Sequence, residues 1–139
     1  MLIGGGQVGI ETAVWLKRQG HEVTLVEARD GLMKAPVEPI ALPNQHMLLE
    51  LLTYHQIPVH LSATVKSFIG DQVTINHADG TVAVKADQIV LSIGYTSDDN
   101  LYRQVYNKIP KKVWLLGDAR QPGTIMTAIR DGSAAGAAI

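Results

Sequence analysis

The chain opens Met1-Leu2-Ile3 and then reads Gly4-Gly5-Gly6-Gln7-Val8-Gly9. An apolar stub running into Gly4-x-Gly6-x-x-Gly9 is followed by helical spacing over 7–19. Val8, Ala13, Val14 and Leu16 can line a buried side there, with Glu11, Lys17 and Arg18 facing outward. Gly20 is a natural stop, and Val23 to Val26 forms a short β-rich run that ends at Glu27. Strand, glycine turn, helix and a second strand closed by an acid predict a parallel α/β unit with a ligand at its carboxyl edge. Gly4 allows the tight turn, Gly6 lets a diphosphate approach the backbone without meeting a Cβ, and Gly9 lets the helix pack close to the strand. Free N–H groups at the helix start, aided by its dipole, then hold the diphosphate, and Gly5, Gln7 and Val8 are counted with the three glycines as cofactor-binding residues. Glu27 lies eighteen residues after Gly9, where its carboxylate can accept from both hydroxyls of an adenosine ribose. That carboxylate repels a 2′-phosphate and favours NAD over NADP, although Arg29, two residues on, can hold such a phosphate.

The rest of the composition narrows the class. The 139 residues carry twelve Lys+Arg and thirteen Asp+Glu, a net charge of −1. No basic footprint for nucleic acid exists. The absence of cysteine removes disulfides, thiolate nucleophiles and iron–sulfur ligation from this chain. Apolar residues make up 46%, enough for a core, but no run approaches the roughly 18 needed to cross a bilayer. With no secretory signal, a cytoplasmic chain without membrane partners is expected.

Beyond Glu27 the pattern alternates. Residues 30–43 contain Gly31, Pro36, Pro39 and Pro43 and read as a loop, with Asn44 a candidate N-cap. The helix predicted over 44–56 has Met47, Leu48, Leu51 and Leu52 as a core stripe, and Ile57 to Leu61 predicts a third strand. Strands at 64–69, 72–77 and 81–85, split by Gly70-Asp71 and Asp79-Gly80, predict an antiparallel meander. Ile89 to Ile93 reads as a buried strand closed by Gly94, where the backbone can pass close to a cofactor. A short helix near 100–106, a strand over Val113 to Leu116 and a small-residue helix from Thr124 complete the chain. Only three residues precede Gly4, against about five or six in an ordinary strand, so the chain is expected to begin inside a longer one and to be a fragment.

Three segments carry a resemblance: GGGQVGIETA at 4–13, DQIVLSIGYTSDDN at 87–100 and VWLLGDARQPGTIMTAIRDGSAAGAAI at 113–139. Together they resemble the pyridine-nucleotide domain of two-dinucleotide flavoprotein reductases, in which an NAD(P)H domain is inserted into an FAD domain. The last segment is similar to the NADH:flavin oxidoreductase branch, which includes 2,4-dienoyl-CoA reductase, 2-enoate reductase and trimethylamine dehydrogenase. The resemblance implies a three-layer Rossmann-like α/β domain with a parallel sheet and an antiparallel meander crossover. It implies an NAD(H)-binding domain over 1–106 and a C-terminal piece of the FAD domain over 107–139. Gly117-Asp118 would belong to the FAD site, with Asp118 bonding a ribityl hydroxyl. FMN and an iron–sulfur cluster would sit in an upstream barrel, where an enoate- or dienoyl-like substrate is reduced. The first FAD loop is not in this sequence, so FAD binding by the piece is expected to be weak or nil.

By analogy with related reductases Glu11 approaches the nicotinamide; its other reading is an acid near the helix start favoured by the dipole. No side chain is needed as acid or base for hydride transfer, so no catalytic residue is assigned. His21, His46, His55, His60 and His77 show no metal-ligand spacing. Tyr95 and Trp114 can stack on a ring but read first as packing residues, Asp98 and Asp99 resemble a paired carboxylate but read as helix-start residues, and Lys108, Lys111 and Lys112 read as a solvated loop. Segment 113–139, without its natural sheet neighbours, is expected to expose an apolar patch able to drive homo-oligomerisation. The competing class is a free-standing nucleotide-sensing module. Such a module shares the glycine loop but has no reason to keep Gly117-Asp118, Pro122-Gly123 and the Ala-rich helix. A single-domain dehydrogenase would need an acid/base set, such as Tyr and Lys four residues apart on a helix, and none is found.

Overall fold

The computed structural model describes residues 1–34, 42–110 and 112–138. Two compact units divide the chain, Met1–Gly94 and Tyr95–Ile139. Pro36, Pro39 and Lys111 lie outside the described residues.

In the first unit β1 (Leu2–Ile3) leads through the glycine loop to α1 (Gln7–Arg18), then β2 (Leu25–Val26), α2 (Leu42–Tyr54) and β3 (Val59–His60). The meander β4 (Thr64–Ile69), β5 (Gln72–His77) and β6 (Gly80–Lys85) precedes β7 (Val90–Leu91). The four short strands form a parallel sheet in the order β3-β2-β1-β7, beside an antiparallel sheet β4-β5-β6. The ladder runs past the strand ends: Gly4 N–H donates to Val26 O, Glu27 N–H to His60 O and Ser92 N–H to Ile3 O.

Strand alternation decides which layer each residue joins. Leu2 and Leu25 are register partners and share one core with Ile10, Ala13 and Val14 of α1 and Leu48 and Leu52 of α2. Val26, one residue on, points to the other face and packs with Ala63, Val73, Ile75 and Ala86. Fully burying one such leucine or isoleucine is worth about 1.5–3 kcal/mol, so these two clusters hold the layers of helices, parallel sheet and meander together. The expected three-layer Rossmann-like architecture is present.

Details differ from the sequence reading. Val8 is 58% exposed rather than part of the buried side of α1, and Met47 stands outside the core stripe of α2. Helix α2 starts at Leu42, so Asn44 lies inside it; Pro43 in the first turn gives up an N–H that would have no intrahelical acceptor. Gly20, at φ +89°, ends α1 as predicted. Its N–H reaches Lys17 O and that of His21 reaches Leu16 O, closing the last turn.

The second unit holds α3 (Asn100–Tyr106), a 3-10 turn (Gly117–Ala119) and α4 (Ile125–Ala137). Residues 113–116 do not form the expected strand, because a strand needs a partner ladder and this unit has none among the described residues. Tyr95 and Trp114 are exposed rather than packed. Helix α3 starts where predicted, with Asp98 Oδ1 accepting the Asn100 N–H at 3.1 Å and Asp99 pairing with Arg103. Thr124 caps α4 in a reciprocal box with Thr127.

Candidate nucleotide-binding site

The candidate site gathers at the carboxyl ends of β1, β2 and β7, around the β1–β7 junction where the strand order β3-β2-β1-β7 reverses. Its four glycines have separable reasons to be glycine. Gly4 adopts φ +111°, and a Cβ there would collide with the carbonyl of Ser92. A Cβ on Gly9 would collide with the carbonyl of Gly4, so helix and turn touch backbone to backbone. A Cβ on Gly5 would lie 2.5 Å from Leu32 Cδ2 and 3.0 Å from Glu27 Oε2. Gly6 is different: its φ and ψ are −74° and 177°, and apart from its chain neighbours no atom of the described residues lies within 4 Å of the position its Cβ would take.

Gly6 also caps α1, with no side-chain cap hydrogen bond among the described residues. The first-turn N–H groups of a helix have no intrahelical acceptor, so at Gly6, Gln7 and Val8 they provide a positive edge open to an anion. Glu27 stands next to this edge. Its Oε2 accepts the Gly5 N–H at 2.5 Å and its Oε1 the Arg29 N–H at 2.8 Å. A carboxylate has about four acceptor positions, so capacity for two ribose hydroxyls remains. These groups fit a dinucleotide: an unfilled space above Gly6, donors for a diphosphate, and a partly used carboxylate alongside.

Other expected residues are placed as follows. Glu11 sits beyond the first turn of α1, exposed, with its Oε1 accepting from Gln7 Nε2 at 2.8 Å. Arg29 is exposed; its carbonyl accepts from Ser62 N–H, which fixes its backbone. Gly94 has φ +92° with open space around its Cβ position. Within the second unit, Gly117 has φ +56°, and Asp118 Oδ1 accepts the Gly123 N–H at 3.1 Å. No cluster of three or more metal-ligating side chains occurs among the described residues.

Leu32, Met33, Arg120 and Asp131 escaped the sequence reading. Met33 is buried at φ +55°, and its N–H bonds Gly5 O at 2.8 Å. Asp131 accepts Gly117 N–H at 3.0 Å and both Nε and Nη2 of Arg120 at 2.9 and 2.7 Å. The guanidinium, more than the Gly117 N–H, holds the Asp131 carboxyl below the usual carboxylate range. The one sequence signal was an apolar Leu32-Met33 pair inside a polar, Gly- and Pro-bearing loop.

The pyridine nucleotide-disulphide oxidoreductase family matches residues 1–132 of this sequence. The chain belongs to that family. A cinnamate reductase of Clostridium sporogenes is 37% identical over 129 residues, 93% of this chain and 19% of the relative. An NADH oxidase of Thermoanaerobacter brockii is 28% identical over 133 residues, 95% of this chain and 20% of the relative. Among solved structures, a 2-naphthoyl-CoA reductase in complex with 2-naphthoyl-CoA superposes with a TM-score of 0.79 at 29% identity, over 94% of this chain and 19% of that one. The chain therefore spans about a fifth of the length of these relatives. Within the pyridine nucleotide-disulphide oxidoreductases, its likeness to the cinnamate and 2-naphthoyl-CoA reductases bears out the expected 2-enoate reductase type. No helix among the described residues is long and apolar enough to cross a membrane.

Proposed function

We propose that this chain is the NADH-binding part of an FAD-dependent oxidoreductase. The parent enzyme would pass hydride from NADH to a flavin and reduce an enoate- or dienoyl-like substrate elsewhere in its length. The observation that carries the reading is the open space at Gly6 beside the Glu27 carboxylate. The other three glycines of the turn are explained by contacts within the protein, and Gly6 is left for a ligand.

When bound, a reduced nicotinamide supplies a hydride, two electrons and one proton, that a flavin accepts. The residues of this chain bind and orient. The N–H groups of Gly6, Gln7 and Val8 hold the diphosphate, and Glu27 accepts from the ribose hydroxyls while Gly5 and Arg29 fix its rotamer. Gly94 leaves room for close approach of the backbone, and Glu11, steadied by Gln7, stands at the nicotinamide end. Residues 1–106 form the NAD(H) domain in this reading and 107–139 a piece of the FAD domain. In that piece Gly117 sets the turn and the second oxygen of Asp118 receives a ribityl hydroxyl. FMN and an iron–sulfur cluster would belong to other parts of the parent.

NADH is preferred over NADPH, because a 2′-phosphate beside Glu27 adds like-charge repulsion of about 1–4 kcal/mol at contact range. Calorimetric titration with both nucleotides tests this. Tighter binding of NADH supports the reading, equal affinities overturn the preference, and inverted affinities assign the selectivity to Arg29 instead.

A further inference from the structure

The turn after β2 grips the glycine loop at one residue. Both backbone groups of Gly5 are taken, the N–H by Glu27 Oε2 and the carbonyl by the N–H of Met33 at 2.8 Å. The space where its side chain would be is filled by Leu32 Cδ2. Leu32 packs against the helix-side core and Met33 is part of it, so the grip is rooted in packed structure. Met33 holds φ +55°, a left-handed conformation that L residues rarely adopt, and this conformation directs its N–H at the loop. The near end of the turn is fixed as well. Arg29 N–H bonds Glu27 Oε1, its carbonyl accepts from Ser62 N–H, and Asp30 pairs with Lys34 at 2.8 Å.

We propose that Leu32 and Met33 are positioning residues that clamp Gly5, holding the Glu27 carboxylate at a fixed separation from the diphosphate cradle at Gly6, so that the ribose and diphosphate of one dinucleotide are read together. The inference rests on the nucleotide-binding reading of this site and adds a division of labour to it. Gly5 is glycine for the clamp, and Gly6 is glycine for the ligand. Neither side chain touches the ligand in this account. Their effect is preorganisation, which strengthens binding only for ligands that engage both ends.

The test titrates wild type, Leu32→Ala and Leu32→Met with adenosine, ADP and NADH, following amide shifts for the weak ligand and calorimetry for the others. Leu32→Ala is expected to weaken ADP and NADH by about tenfold while adenosine, which meets Glu27 alone, changes less than about twofold. Leu32→Met, with its side chain still over Gly5, is expected to restore ADP affinity. Should Leu32→Ala not fold, Leu32→Val is expected to show the same order of effects at about threefold. Equal weakening of all three ligands, or unchanged ADP affinity in the folded variant, overturns the clamp while leaving the site intact. Absence of NADH and ADP binding by wild type overturns the site itself and the clamp with it.

Discussion

The carboxylate of Glu27 receives the backbone N–H of Gly5 at 2.5 Å, so the residue proposed to read a ribose also braces the loop proposed to read a diphosphate. Two tasks on one side chain make its removal costly to binding. Glu27→Ala is expected to weaken NADH by about ten- to a hundredfold, from losing charge-assisted bonds of about 1.5–3 kcal/mol. Calorimetry on the folded variant checks this, and an unchanged affinity would place the ribose elsewhere.

Gly4 and Gly6 separate stability from binding. Gly4→Ala forces a Cβ into the Ser92 carbonyl at φ +111° and is expected to cost about 2–4 kcal/mol of folding stability in urea denaturation. Gly6→Ala meets no atom of the described residues beyond its chain neighbours and is expected to leave the urea midpoint unchanged or slightly raised. The same substitution should lower NADH affinity by at least about tenfold, since its methyl enters the space a diphosphate would use. If both alanines behaved alike, the distinct role of Gly6 would be lost.

Stability should fall in mild acid through His60. Its ring lies 5.3 Å from that of His77, and burial first, then the His77 charge, lowers its pKa from 6.5. The unfolded chain therefore takes up a proton near pH 6.5 that the folded chain resists. No penalty applies above that value, and it grows as pH falls through the window down to the lowered folded pKa. Urea midpoints at successive pH values should show the decline. His77→Gln, which removes one of the two causes, should reduce it.

In the second unit Asp131 ties the 3-10 turn to α4 through Gly117 and Arg120. Asp131→Ala is expected to speed amide exchange at Gly117 and Gly123 by about tenfold or more, as the turn loses its anchor. Exchange unchanged at both amides would show that Gly117 holds the turn unaided.

Within segment 113–139, Ile125, Met126 and Ile129 of α4 are each more than half exposed. Self-association is expected to rise with concentration in light scattering, and a clean monomer at high concentration would remove this patch as its cause.

Much of the first unit was legible in the sequence because its signals are local. The Gly70-Asp71 and Asp79-Gly80 turns placed the three meander strands, and Gly20 stopped α1 by its own backbone freedom. Glu27 was expected at the end of the second strand, and it directly follows β2, its N–H continuing the ladder to His60 O. What escaped depended on partners distant along the chain. Val113 to Leu116 has a strand's composition but no ladder to join among the described residues of its unit. Met33 in a left-handed conformation answers to the Gly5 carbonyl 28 residues away, which no short window of sequence reports. Asp131 looked like any helix acid until Arg120 and Gly117 were found on it.

The most direct test of the nucleotide site is an amide-shift map of the chain titrated with NADH. Saturable shifts centred on Gly5 to Gly9 and on Glu27 to Arg29 are the predicted result. Absence of saturable shifts there, or shifts centred on other residues, would contradict the assignment.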